Sequence, residues 1–87
     1  MAEPAFKLKI VTPNEVAYEG DSVSVVAPGE LGSFGVLANH ASFITTLGAG
    51  QLTTRDQAGK TQSFKIEGGF FEVSNNRAIV LTDRVSV

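Results

Sequence analysis

Eighty-seven residues fit one domain, residues 1–87, and so short a chain buries a modest share of its surface, so its stability leans on tight packing or on a partner. Apolar residues make up 43% of the chain against 18% charged, which excludes the composition of a disordered segment. The absence of cysteine excludes a disulfide framework and any thiolate site, and a formal charge of -2 argues against nucleic acid as a partner.

Phe6 to Thr12 alternates with period two and places Phe6, Leu8 and Ile10 on one face, as a half-buried strand requires. Pro13-Asn14 breaks it, and Val16 to Glu19 reads as a short second strand before Gly20-Asp21. In Ser22 to Ala27 the serines alternate with Val23 and Val25, a third strand that Pro28-Gly29 ends. Gly32 and Gly35 keep the following stretch irregular, Val36-Leu37 reads as a brief buried segment, and Ala38 to Ser42 as a turn or short helical turn.

A strand resumes at Phe43 and runs to Leu47, where Gly48-Ala49-Gly50 closes it. Gln51 to Asp56 and Lys60 to Glu67 read as a hairpin across Gln57-Ala58-Gly59, after which Gly68-Gly69 resets the chain direction. Phe70 to Ser74 and Arg77 to Thr82 form the strongest hairpin signal, because asparagine tolerates the positive φ that a tight turn at Asn75-Asn76 requires. Asp83 to Val87 is a tail or a final edge strand. No window of ten residues free of Gly and Pro has helical periodicity, so about eight to ten short strands point to an all-β sandwich or barrel.

No run approaches the roughly 18 apolar residues of a membrane helix, so direct membrane insertion is not expected. The start, MAEPAFKLK, lacks the basic-then-apolar order of a signal peptide.

Chemistry-bearing patterns are sparse, and no catalytic, metal or cofactor-binding residue is expected. His40 is the single histidine and lies in no HxH or HExxH spacing, which leaves it a turn-fixing or partner-contacting residue. No GxSxG elbow occurs, and the carboxylates, Glu15 with Glu19 and Glu67 with Glu72 among them, read as solvated strand ends. Gly29 to Gly35 lacks the Lys-Ser/Thr of a phosphate loop, and close backbone approach, including to another chain, explains it better. Phe64, Phe70 and Phe71 have no basic groove beside them, so core packing explains them better than base stacking. Phe70 and Phe71, being adjacent, point to opposite faces, so one of them is a candidate exposed docking residue.

The stretch Gly32-Ser33-Phe34-Gly35-Val36-Leu37-Ala38-Asn39-His40-Ala41 resembles a pattern of the amino-terminal domain of the F-type ATP synthase epsilon subunit family. Leu8 to Pro13, Tyr18-Glu19-Gly20, Ile66 to Val73 and Val80 to Asp83 fall in that family's order, and the resemblance covers essentially the whole chain. It implies a flattened β-sandwich of about ten short, mostly antiparallel strands. It also implies a non-catalytic central-stalk subunit, bound to gamma and resting on the polar loops of the c-ring. As part of the rotor it would couple proton translocation to ATP synthesis in the alpha/beta head. By the same resemblance the complex is expected on the cytoplasmic face of the bacterial inner membrane, or on the stromal face of the thylakoid membrane.

Residue by residue, the resemblance sets Thr12, His40 and Thr45 near gamma, and Glu30 with a loop holding Ser33, Phe34 and Gly35 near the ring. Many relatives carry an acidic residue where this chain has Ser33, and proline is common where it has Ala38 and Ser42. The turn is therefore expected to be looser before assembly. Longer members continue into a two-helix domain that can inhibit hydrolysis or bind ATP, and with the sequence ending at Val87 neither property is carried over. The rival readings are a biotin- or lipoate-type carrier with Lys60 beside its turn, though without the usual flanking pattern, and an unrelated protein-binding β-sandwich.

Overall fold

Period-two alternation decides which side chains enter the interior of the computed structural model, which describes residues 3–87. Among the described residues eight strands form: β1 (Phe6–Val11), β2 (Val16–Ser22), β3 (Ser24–Gly29), β4 (Gly32–Leu37), β5 (Phe43–Arg55), β6 (Thr61–Ser74), β7 (Arg77–Leu81) and β8 (Val85–Ser86). They make one hydrogen-bonded sheet in the order β2-β1-β7-β6-β5-β3-β4, with β8 on β6. All pairings are antiparallel except β1 with β7.

This single sheet folds back on itself because β5 and β6 are long. The second half of β6 pairs with β7 while its first half pairs with β8. β5 follows β6 along both halves, and β3 joins β5 mainly at Arg55, Thr54 and Thr53. Two layers result: β2, β1, β7, late β6 and early β5 in one, and β8, early β6, late β5, β3 and β4 in the other. The shortest principal extent is 21 Å, enough for two sheets about 10 Å apart with their outward side chains.

The inward rows follow from the register. Val73, Ala78 and Leu8 lie side by side in the first layer, as do Phe71, Val80 and Ile10. Leu52 with Phe64, and Val25 with Val36, line the second. All ten are buried. Tyr18 of the first layer tilts against Phe64 of the second, with ring centroids 5.2 Å apart, and the all-β expectation from the sequence is met.

Several glycine stretches behave differently from the sequence reading. Gly48-Ala49-Gly50 does not close a strand and Gly68-Gly69 does not reverse the chain: β5 and β6 run through them with one unbroken register. The glycines bend these strands from one layer into the other. Gly69 has φ 116, and a Cβ there would stand 1.9 Å from the Leu81 carbonyl oxygen, so only glycine fits that corner. Gly32 and Gly35 likewise lie within a regular strand, β4, paired along its length with β3, which itself extends through Pro28-Gly29. Val36 is buried but Leu37 turns outward, as alternation along a strand demands.

The expected strand 22–27 divides at Val23, where the chain passes between layers. Ser22 and Val23 are both buried there, a break in the alternation. The Ser22 hydroxyl lies 2.6 Å from that of Thr54 and donates to the Ser24 carbonyl at 2.8 Å, which satisfies a polar group inside the core. The remaining turns form where expected. The Asp56 carboxylate accepts the Ala58 and Lys60 amides across the β5–β6 turn, and Asn75 and Asn76 both take positive φ in the β6–β7 turn.

Candidate functional site

Alternation that buries Phe71, Val80 and Ile10 must expose their neighbours. Phe70 faces Leu81 across β6 and β7, Leu81 faces Val11 on β1, and Val11 faces Val16 on β2. Four apolar side chains on four adjacent strands thus form one row on the outer face of the first layer, about 14 Å across at a strand spacing near 4.8 Å. Phe70, Leu81 and Val16 are each about half exposed, at 51%, 49% and 50%. Gly69 and Pro13 help to line a shallow depression around Phe70 and Leu81.

Charged residues border the row. Glu72, Lys9 and Glu19 stand in the neighbouring line across the same face, interleaved with Ile79 and, on β5 beside Glu72, the exposed Ile44. Beyond it Lys7 pairs with Asp21 at 2.8 Å, and that carboxylate holds the Lys7 ammonium above its ordinary pKa. An apolar centre with a charged rim is the anatomy of a protein-docking surface.

Thr12 stands at one end of the row, in the turn from β1 to β2. Its hydroxyl donates to the Glu15 carbonyl at 3.3 Å and accepts the Asn14 amide, so it fixes that turn. His40 and Thr45 lie beyond the other end and off the row itself: Thr45 pairs with the buried Phe71, on the inward side of early β5, and shares with His40 a shallow groove with Phe34, Gly35, Phe43 and Ile44 at that strand's free edge. The structure therefore brings His40 and Thr45 together and leaves Thr12 apart from them, with β7 and β6 between β1 and β5.

The His40 Nδ1 lies 2.7 Å from the Ala41 carbonyl oxygen, and its ring packs at 5.1 Å on Phe43. A carbonyl only accepts, so Nδ1 carries the proton and Nε2 is left as the atom available to a partner.

Glu30, Ser33, Phe34 and Gly35 do not share one loop. Glu30 and Leu31 form the turn between β3 and β4, whereas the other three lie in β4. The turn is tight because Gly29 lets the chain return closely: a Cβ there would meet the Gly32 carbonyl oxygen at 2.6 Å. Ser33 and Gly35 are exposed, but Phe34 turns inward and packs edge-on against Phe71 at 5.1 Å and Phe43 at 5.8 Å. Its first role is in the core.

Leu31 is the residue the sequence reading missed: it is fully exposed at the hairpin tip. The available signal was an apolar residue at the centre of a Gly-Glu-Leu-Gly turn, where polar residues are usual. The members of the row other than Phe70 were also missed, because adjacency between strands depends on register.

Among the described residues, no three His, Cys, Asp or Glu side chains gather as a metal site would need. No helix among them is long and apolar enough to cross a membrane.

The fold is an all-β sandwich whose distinctive surface features are an apolar outer row, a free strand edge and a projecting hairpin. The family model described as ATP synthase, Delta/Epsilon chain, beta-sandwich domain matches residues 5–86, and the chain belongs to that family. It is 45% identical over 85 residues to the ATP synthase epsilon chain of Chlorobium limicola, covering 98% of this chain and 97% of that one. The epsilon chain of Chlorobaculum tepidum is 44% identical with the same coverage.

Among solved structures, a chain of the Euglena gracilis mitochondrial ATP synthase (OSCP/F1/c-ring) superposes with a TM-score of 0.88 at 24% identity. That match covers 99% of this chain and 56% of the Euglena one. A chain of the Tetrahymena thermophila mitochondrial central stalk and c-ring gives 0.81 at 15% identity, over 99% of this chain and 69% of its own length. These two likenesses are of fold. The chain is thus an epsilon-type subunit of an ATP synthase, a part of a complex and not an enzyme by itself, and the carrier reading of Lys60 is not favoured.

Proposed function

We propose that the chain, acting as one sandwich module over residues 1–87, is a central-stalk rotor subunit joining gamma to the c-ring. In this role it carries load between rotor parts while protons pass and the alpha/beta head makes ATP. The observation that carries the reading is the apolar row Phe70–Leu81–Val11–Val16 with its charged rim. A free-standing domain gains nothing from exposing four apolar neighbours, whereas a subunit that stays assembled buries them.

Gamma covers this row on our reading, reaching Thr12 at one end and the His40–Thr45 groove beyond the other. His40 Nε2 accepts a hydrogen bond from it. The β3–β4 hairpin meets the polar loops of the ring, with Leu31 as an apolar tip and Glu30 as the carboxylate that Ser33 does not supply. The close-packed double layer between these contacts resists deformation, which a load-bearing spacer requires. The complex places the chain on the cytoplasmic face of the bacterial inner membrane, or on the stromal face in a chloroplast.

Titration of purified cognate gamma with this chain tests the reading, with an unrelated folded β-domain as control. Saturable one-to-one binding is expected, and a folded chain that fails to bind would contradict the proposal.

A further inference from the structure

The turn between β4 and β5 carries His40 and is exposed from Asn39 to Ser42. Alone, such a turn would sample many conformations. It is instead tied to a distant part of the chain. The Asn39 amide donates to the Asn76 Oδ1 at 2.7 Å, and the Asn76 Nδ2 donates to the Ala5 carbonyl at 2.8 Å. The Asn76 main-chain carbonyl accepts the Lys7 amide at 3.3 Å.

One side chain thus joins the β4–β5 turn, the β6–β7 turn and the entry to β1. Its orientation follows from chemistry, since the oxygen must face the N–H donor and the nitrogen the carbonyl. The β6–β7 turn does not itself need this side chain. With φ 61 at Asn76, glycine would serve the tight turn equally well. What asparagine adds is the clasp on Asn39, itself held at φ 62.

We propose that Asn76 is a positioning residue for the partner-facing turn: it holds Asn39, and with it His40 and the groove over Phe43, in the docking arrangement before the partner arrives. This rests on the reading of that groove as gamma-facing. A partner that meets an ordered turn does not have to order it on binding. The sequence favours a looser turn because Ala38 lacks the restraint of a proline, and the clasp supplies that restraint from 37 residues away.

The net strength of one such hydrogen bond corresponds to roughly three- to tenfold in affinity. The test compares the unsubstituted chain, Asn76→Gly and the double variant Asn76→Gly/Ala38→Pro. Amide hydrogen exchange at Asn39 is followed by NMR, with Leu52 in the opposite layer as internal reference, and each protein is titrated with gamma. Asn76→Gly is expected to speed exchange at Asn39 but not at Leu52, and to weaken gamma binding roughly three- to tenfold. The proline, acting on the turn without replacing the clasp, is expected to recover most of that loss.

Unchanged exchange at Asn39 would overturn the clasp. Faster exchange with unaltered binding, or a binding loss the proline does not recover, would overturn the positioning role. If the unsubstituted chain fails to bind gamma, the proposed function falls, and the exchange data still decide the clasp.

Discussion

On the outer face built by β2, β1, β7 and late β6, alternation exposes Val16, Val11, Leu81 and Phe70 in one line. On the opposite face, late β5 and early β6 turn Arg55, Thr53 and Gln51 outward beside Thr61, Ser63 and Lys65. The Thr53 and Ser63 hydroxyls there bond to each other at 3.0 Å, and the apolar exposure on this side is confined to Val26 and, diagonally across on β4, Leu37. Both faces come from the same period-two rule and share one core, so folding alone does not explain their difference. The polar face is finished against water, and the apolar one is finished only when something covers it.

The comparison depends on the corners that keep the two layers apart, and the largest expected effect is there. Gly69→Ala forces a Cβ against the Leu81 carbonyl at a φ of 116, and is expected to destabilise the isolated chain by about 3 kcal/mol or more. Gly59→Ala, at φ 85 but in open space, should cost about 1 kcal/mol. Urea unfolding of the two variants separates strain with a clash from strain alone.

A smaller effect is expected where the chain crosses between layers. Ser22→Ala removes the partner of the buried Thr54 hydroxyl and should cost about 1–2 kcal/mol, measured in the same way. Least of all is expected from the Glu3–Arg55 pair at the sandwich end, 2.9 Å apart and exposed. Its hydrogen bond and charge pull the Glu3 carboxyl below the ordinary 4.5. A depressed carboxylate pKa contributes stability above the unfolded value, lost as pH falls through the folded one. Arg55→Ala should therefore return the Glu3 titration, followed by NMR, toward 4.5 and leave neutral-pH stability nearly unchanged.

Much of the fold was legible in the sequence because alternation is local. Phe6, Leu8 and Ile10 point inward as their spacing requires, and the Asn75-Asn76 turn has the positive φ that its residues favour. The glycine stretches were not legible in the same way. A glycine that ends a strand and one that bends it look alike until the partner strand is known, and β5 and β6 continue through Gly48 and Gly68 because each supports the other.

The same limit applies to the site. Phe70 could be singled out from its neighbour Phe71, but its companions Leu81, Val11 and Val16 come from separate strands that only the register aligns. His40 could be named from the sequence. The Asn76 side chain that holds its turn could not, because the contact spans 37 residues and no local pattern encodes it.

The most direct test of the central claim places one charge on each face: Leu81→Asp within the apolar row and Val26→Asp on the polar side, each titrated with gamma after the fold is checked. The two residues are about equally exposed, at 49% and 48%, so their effects on the isolated chain should be similar. The account predicts that Leu81→Asp weakens binding by roughly 30-fold or more while Val26→Asp leaves it within about twofold. Equal losses at the two positions, or a loss confined to Val26→Asp, would contradict it.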